Sequence, residues 1–235
     1  MPLRFTTSAG VEVIAITADR MREVDRVATD DVGLGLLQMM ENAGRNLARH
    51  ARKPGAETVV VAGNGGNGGG GLACARHLAN RGDPVRVLLD RPPADLTGAA
   101  ARQHAILDRT SVPVHAATDE VPSEPDVVVD ALVGYGLGGD LREPAASYVA
   151  WMNRQSGETV SLDVPTGLDA TSGATRGAAV APDSTLTLAL PKRGLVEADG
   201  ELHLADIGIP RVVYDRLDIP YSDPFGPADR VEIGR

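Results

Sequence analysis

The chain has 235 residues, 43% of them hydrophobic, a formal net charge of −9 at pH 7 and a single cysteine. That length supports one sizeable core, the acidity speaks against nucleic acid as a partner because phosphate binding needs a basic face, and one cysteine excludes an intrachain disulfide. No apolar run is long enough to span a bilayer and MPLRFTTSAG lacks the apolar core of a secretion signal, so no membrane partner and a cytoplasmic location are expected.

After a polar start, Thr17 is a predicted N-cap for a helix carrying Met21, Val24 and Val27 on one side, with Gly33 and Gly35 interrupting before a second helix. In LLQMMENAGRNLARHA, Leu36, Met40, Ala43 and Leu47 recur at helical spacing and predict an apolar stripe, and Gly44 marks close packing. Strands are predicted over 58–62, 85–89, 127–130, 160–163, 186–190 and 202–205, with helices over 97–107 and, started by Pro144, to about Arg154. VPVHA closes the early βαβ rhythm. The expected fold is α/β, a Rossmann-like three-layer αβα sandwich with a mostly parallel central sheet. It forms one domain over 1–235, with its core at about 16–210. The polar, Pro/Gly-rich tail over 220–235 either hangs loose or wraps the surface.

The stretch VVVAGNGGNGGGGLACARHL puts a β-branched run before a glycine-loaded turn and a helix starting near Gly71, the make-up of an anion-binding pocket. Gly63-x-Gly65-x-x-Gly68 satisfies the dinucleotide fingerprint, a weak signal alone. A tight turn without ligand needs fewer than the six glycines found in eight positions from Gly63. Two further polar segments follow strands, DALVGYGLGGD and DVPTGLD. In a parallel sheet the three turns should meet in one crevice. Asp163 and Asp169 in DVPTGLD read equally well as turn formers or as functional carboxylates, and Asp130 also reads as a turn residue. Cys74, Met39 and Met40 read as core. The histidines at 50, 77, 104, 115 and 203 form no metal pair and read as surface or packing residues. Lys192 and Arg193 follow a strand in LPKRG and could approach a phosphate, but read first as solvated charge.

ITADRMREVDRVA, MMENAGR, VAGNGGNGGGGLACARHL, DALVGYGLGGDLREP, SLDVPTGLDATSG, TLTLALPKRGL and LHLADIGIP, in that order, resemble the N-terminal YjeF-type domain family, which acts as NAD(P)H-hydrate epimerase. The resemblance implies a stand-alone isomerase of cofactor repair. It would interconvert the R and S forms of the hydrates NADHX and NADPHX, one of which a separate dehydratase then consumes. It further implies substrate contacts from Gly66, Asn67, Gly68, Gly69 and Gly70, from Gly134, Tyr135, Gly136, Leu137, Gly138, Gly139 and Asp140, and from Asp163, which would handle protons. A potassium ion would sit on Asn67, Asp130 and Thr166, all oxygen donors of the kind a hard cation prefers. A homodimer is the expected assembly.

Two departures stand out. The family pattern N-N-G-G-D-G places aspartate where this chain has Gly70 and asparagine where it has Gly66. Thr166 replaces the usual serine and keeps the hydroxyl. The loss at Gly70 supports an alternative, a catalytically weakened nucleotide-binding or scaffold module, with Asp140 as a possible substitute carboxylate. A third reading, an NAD-dependent dehydrogenase, rests on the fingerprint and on Asp90 at a strand end where a ribose-binding acid would sit. On the epimerase reading, Asp163→Ala should cut turnover by about 10²–10⁴-fold with little change in melting temperature.

Overall fold

β-branched runs alternating with alanine- and leucine-rich segments build, in chain order, β1 (Arg4–Thr7), β2 (Glu12–Ile14), α1 (Ala18–Arg26), α2 (Leu36–Ala51), β3 (Thr58–Ala62), α3 (Gly66–Ala79), β4 (Val85–Leu89), α4 (Gly98–Leu107), β5 (Val114–His115), β6 (Val127–Ala131), α5 (Ala145–Met152), β7 (Glu158–Leu162), β8 (Ser184–Leu188), β9 (Glu201–Ala205), α6 (Arg211–Arg216) and β10 (Arg230–Gly234). The structure, a computed structural model, describes residues 3–118, 121 and 124–235. The first two residues of the expected domain span lie outside the described residues.

Among the described residues the sheet has ten strands in the order β2-β1-β10-β9-β8-β7-β6-β3-β4-β5. The seven strands from β9 to β5 are parallel, and β10, β1 and β2 extend them as an antiparallel flank. Alternation along the central strands separates two layers. Val60, Ala62, Val127 and Val129 pack with Leu47 of α2, Leu72 and Cys74 of α3 and Leu107 of α4. Val59, Val61 and Val128 pack instead with Val149, Trp151 and Met152 of α5. A third cluster, around β1, β2, α1, β9 and β10, includes Phe5, Val24, Leu204 and Ile233.

The expected three-layer sandwich is therefore present, with its boundaries extended. The N-terminal residues read as a polar start form the hairpin β1–β2, and the tail ends in β10, which is inserted between β9 and β1. Both are short segments joined to the rest of the sheet by non-local pairing, and only their alternation, as in Val231 and Ile233, marked them in sequence. Asp163 lies just past β7 rather than closing it, and β8 starts and ends earlier than expected. Thr17 caps α1 as predicted, its hydroxyl accepting from the Arg20 amide at 3.2 Å. Of the α2 stripe, Met40, Ala43 and Leu47 are buried, whereas Leu36 is 49% exposed at the helix start.

Candidate active site

In open α/β sheets, ligands bind beyond the carboxyl ends of strands where the strand order reverses. Here that point lies between β3 and β6, since the chain passes from β3 to β4 on one side and later adds β6 on the other. A cavity of about 680 Å³ opens there, walled by the residues that follow β3, β4, β6, β7 and β8 and by parts of α1 and α2. The three polar turns do converge on it. A second hollow, about 720 Å³, sits at the opposite rim beside Glu158, Asp183 and Glu201 and contains none of the predicted site residues.

The glycine turn divides its labour. A Cβ on Gly63 would run into the Leu132 carbonyl, and one on Gly68 into the Gly63 carbonyl, so these two permit backbone to meet backbone. Gly65 and Gly66 face open space. The helix α3 begins at Gly66 rather than near Gly71, and no side chain caps it. Its first-turn amides are thus left for an anionic ligand. Glycine's poor helix propensity hid this early start, which close packing of α2 on α3 at Gly44 and Ala73 supports. Gly66, Asn67 and Gly70 line the cavity, while Gly68 and Gly69 are buried behind it. A Cβ on Gly70 would meet Leu162 Cδ2 at 2.9 Å.

From the turn after β6, Gly134, Tyr135 and Gly136 line the cavity, and Leu137, Gly138, Gly139 and Asp140 do not. Asp140 is exposed and its charge acts on Arg176, so it does not stand in for a carboxylate at Gly70. Gly134 is the meeting point. A Cβ there would lie 2.9 Å from Asn67 Oδ1 and 3.0 Å from Asp163 Oδ2, which brings those two side chains to the same spot.

Asp163 is 3% exposed and adopts φ +70°, a strained left-handed conformation of the kind that clusters at functional sites. Its Oδ2 accepts from the Tyr135 amide at 3.2 Å, and its Oδ1 accepts from the Leu188 amide at 3.3 Å and the Thr187 hydroxyl at 3.4 Å. Lys192 Nζ pairs with the same Oδ1 and donates to the Leu188 carbonyl at 2.8 Å. Lys192 is 1% exposed, which overturns the solvated-charge reading. An ammonium is buried only when paired, and its partner lies on another strand end, beyond the reach of local sequence. The backbone of Lys192 is held by a bridge to Ile16.

Sequence reasoning also missed Asp25. Its Oδ2 accepts from the Tyr135 hydroxyl, and both residues line the cavity. Burial pushes the Asp25 carboxyl above its usual range, opposed by the tyrosine hydrogen bond and the Lys192 charge. On α1 it reads as ordinary helix-face polarity; only the cavity distinguishes it.

Asp130 and Thr166, both 0% exposed, form a compact cluster. Asp130 accepts from the Thr166 hydroxyl (2.6 Å), the Thr166 amide (2.8 Å), the Ser161 hydroxyl (2.8 Å) and the Leu132 amide (3.3 Å). Burial nevertheless raises its pKa. Asp169 resolves as a turn former. Its carboxylate accepts from the Thr171 and Ser172 amides and from Arg176, which hold its pKa well below the usual range.

The structure matches the crystal structure of yeast ynu0 with a TM-score of 0.80 at 24% identity, covering 93% of this chain and 99% of that one, a shared fold. In sequence, the chain is 44% identical to the NAD(P)H-hydrate epimerase of Dehalogenimonas lykanthroporepellens over 96% of this chain and 95% of that protein. It is 38% identical to the bifunctional NAD(P)H-hydrate repair enzyme of Salinibacter ruber, covering 86% of this chain but only 42% of the longer relative. Neither of these two relatives bears a name that matches the scaffold or the dehydrogenase reading. With the model for the YjeF-related protein N-terminus matching residues 36–194 as well, the chain belongs to that family.

Proposed function

We propose that the protein is an NAD(P)H-hydrate epimerase that interconverts the R and S forms of NADHX and NADPHX. The observation that carries this is the convergence of Asn67 and Asp163 at Gly134, in the same cavity as the uncapped start of α3. A hydrated dinucleotide needs both features: amides for its diphosphate and a carboxylate at the hydrated ring carbon. Inversion at a hemiaminal carbon starts with loss of its O–H proton as the ring C–N bond opens and the nitrogen takes up a proton; the resulting aldehyde then recloses on its other face, which returns both protons with no electron transfer. Asp163 is the acceptor in this scheme. Lys192, with an ammonium proton left beyond its two partners, is the donor, and the partly buried Tyr135 ring 5.6 Å from Nζ flanks the substrate. Gly66, Asn67, Gly70, Gly134 and Gly136 supply the remaining contacts, and the names of the full-length relatives support the activity.

A potassium ion would be held by Asn67, Asp130 and Thr166. The donors there are all oxygens, and the Asn67 amide nitrogen is buried without a partner, so the side chain is free to turn its oxygen toward a cation. When bound, the ion would supply positive charge beside the diphosphate. We assign a cytoplasmic location and a separate dehydratase as the consumer of one epimer. No helix among the described residues is long and apolar enough to cross a membrane. A homodimer is the assembly we expect, supported by the half-exposed Leu36 and Leu37 at the start of α2.

The test is incubation with separated hydrate epimers followed by chromatography, with potassium and with sodium in its place. Equilibration well above the spontaneous rate, faster in potassium, is expected. A rate no greater than that of buffer removes the proposal.

A further inference from the structure

We infer that the Asp90–Arg91 pair at the end of β4 reads the 2′ position of the adenosine ribose and favours the hydrate with a free 2′-hydroxyl over the 2′-phosphorylated one. This rests on the reading of the substrate as a hydrated dinucleotide. The strands β7, β6, β3 and β4 are consecutive neighbours, so Asp163 and Asp90 stand three strand spacings apart, about 14 Å. A dinucleotide with its damaged ring at Asp163 and its diphosphate on the α3 amides is long enough to deliver its adenosine ribose to the end of β4. Both Asp90 and Arg91 line the same cavity there, and the Asp90 amide donates to the Ala62 carbonyl at 3.2 Å, which fixes the pair beside the glycine turn.

The chemistry of the pair sets the preference. Arg91 forks onto Asp90, Nε to Oδ1 at 2.9 Å and Nη2 to Oδ2 at 2.8 Å. A carboxylate offers about four acceptor sites, so two remain for the hydroxyls of a ribose diol. A 2′-phosphate would meet Asp90 directly, with Asp95 close enough for its charge to act on Arg91. One guanidinium, already engaged, faces two carboxylates, and an incoming dianion is repelled. In other dinucleotide-binding sheets an acid at this place accepts the 2′-hydroxyl, whereas a free arginine receives the 2′-phosphate.

The probes are ADP-ribose and 2′-phospho-ADP-ribose, titrated calorimetrically into the wild type, Asp90→Ala and Arg91→Ala. Wild type should bind ADP-ribose about 10-fold tighter or more. Asp90→Ala frees Arg91 and should erase or invert that ratio, while Arg91→Ala widens it. In turnover, the ratio of KM values for the two hydrates should follow the probes with kcat unchanged, which a merely structural role would not produce. Equal binding of the probes by wild type, no binding of either, or a parallel change for both in Asp90→Ala overturns the selector. Hydrate turnover without discrimination removes the selector and leaves the epimerase; discrimination without turnover removes the epimerase and leaves the selector.

Discussion

At the scale of single residues, the site is governed by one buried ion pair. Asp163 and Lys192 are both nearly inaccessible, and each is the other's charge partner. The sequence-based expectation that Asp163 can be truncated without thermal cost therefore fails: removing either partner strands a charge in the interior, at about 3–5 kcal/mol. Asp163→Asn is the cleaner probe, because asparagine tolerates the positive φ at this position. Denaturant unfolding should show Asp163→Asn and Lys192→Met each losing about 3–5 kcal/mol, with the double variant recovering most of that loss. Hydrate turnover should stay down by about 10²–10⁴-fold in all three. Additive stability losses, or activity returning with stability, would show that the pair is not the unit described.

At the scale of elements, legibility follows the range of the interactions. The central strands β3, β4 and β6 are β-branched runs buried on both faces, so composition alone revealed them. The three turns beyond them could be grouped from topology rules before any coordinates. Lys192 and Asp25 could not, because their significance lies in partners on distant elements. The same limit hid a tie between α2 and the strands β8 and β9. His50 Nε2 sits 3.0 Å from Ser184 Oγ on β8, and its ring packs 4.5 Å from His203 on β9. Burial first, then the charges of His203 and Arg230, lower the His50 pKa to about 4 from 6.5. The folded protein therefore binds this proton less readily than the unfolded chain. The stability from neutral His50 is complete above pH 6.5 and is lost as pH falls toward 4, on the order of 3 kcal/mol. His50→Gln, which keeps a side-chain partner for Ser184, should flatten the unfolding free energy across that window. An unchanged slope would mean the proton is taken up elsewhere.

At the scale of the whole molecule, the C-terminal strand ties the N-terminal flank to the rest of the sheet. β10 registers Val231 on Leu204 of β9 and Thr7 of β1 on Ile233, so among the described residues the hairpin β1–β2 is paired to the parallel strands through it. Ile233, 3% exposed, shares a core with Phe5, Val13, Met21 and Val24, and the last two belong to the helix that carries Asp25 into the cavity. The tail thus supports one wall of the site from a distance. Ile233→Ala should cost about 2–5 kcal/mol through the cavity it leaves. Because the loss falls on one flank, amide hydrogen exchange should quicken in β1, β2 and α1 while β3, β4 and β6 keep their protection. Hydrate KM should rise with α1 loosened, whereas ADP-ribose, held at the α3 and β4 end, should bind as before. Uniformly faster exchange over the whole sheet would instead make β10 part of a single cooperative unit and detach it from any particular wall of the site.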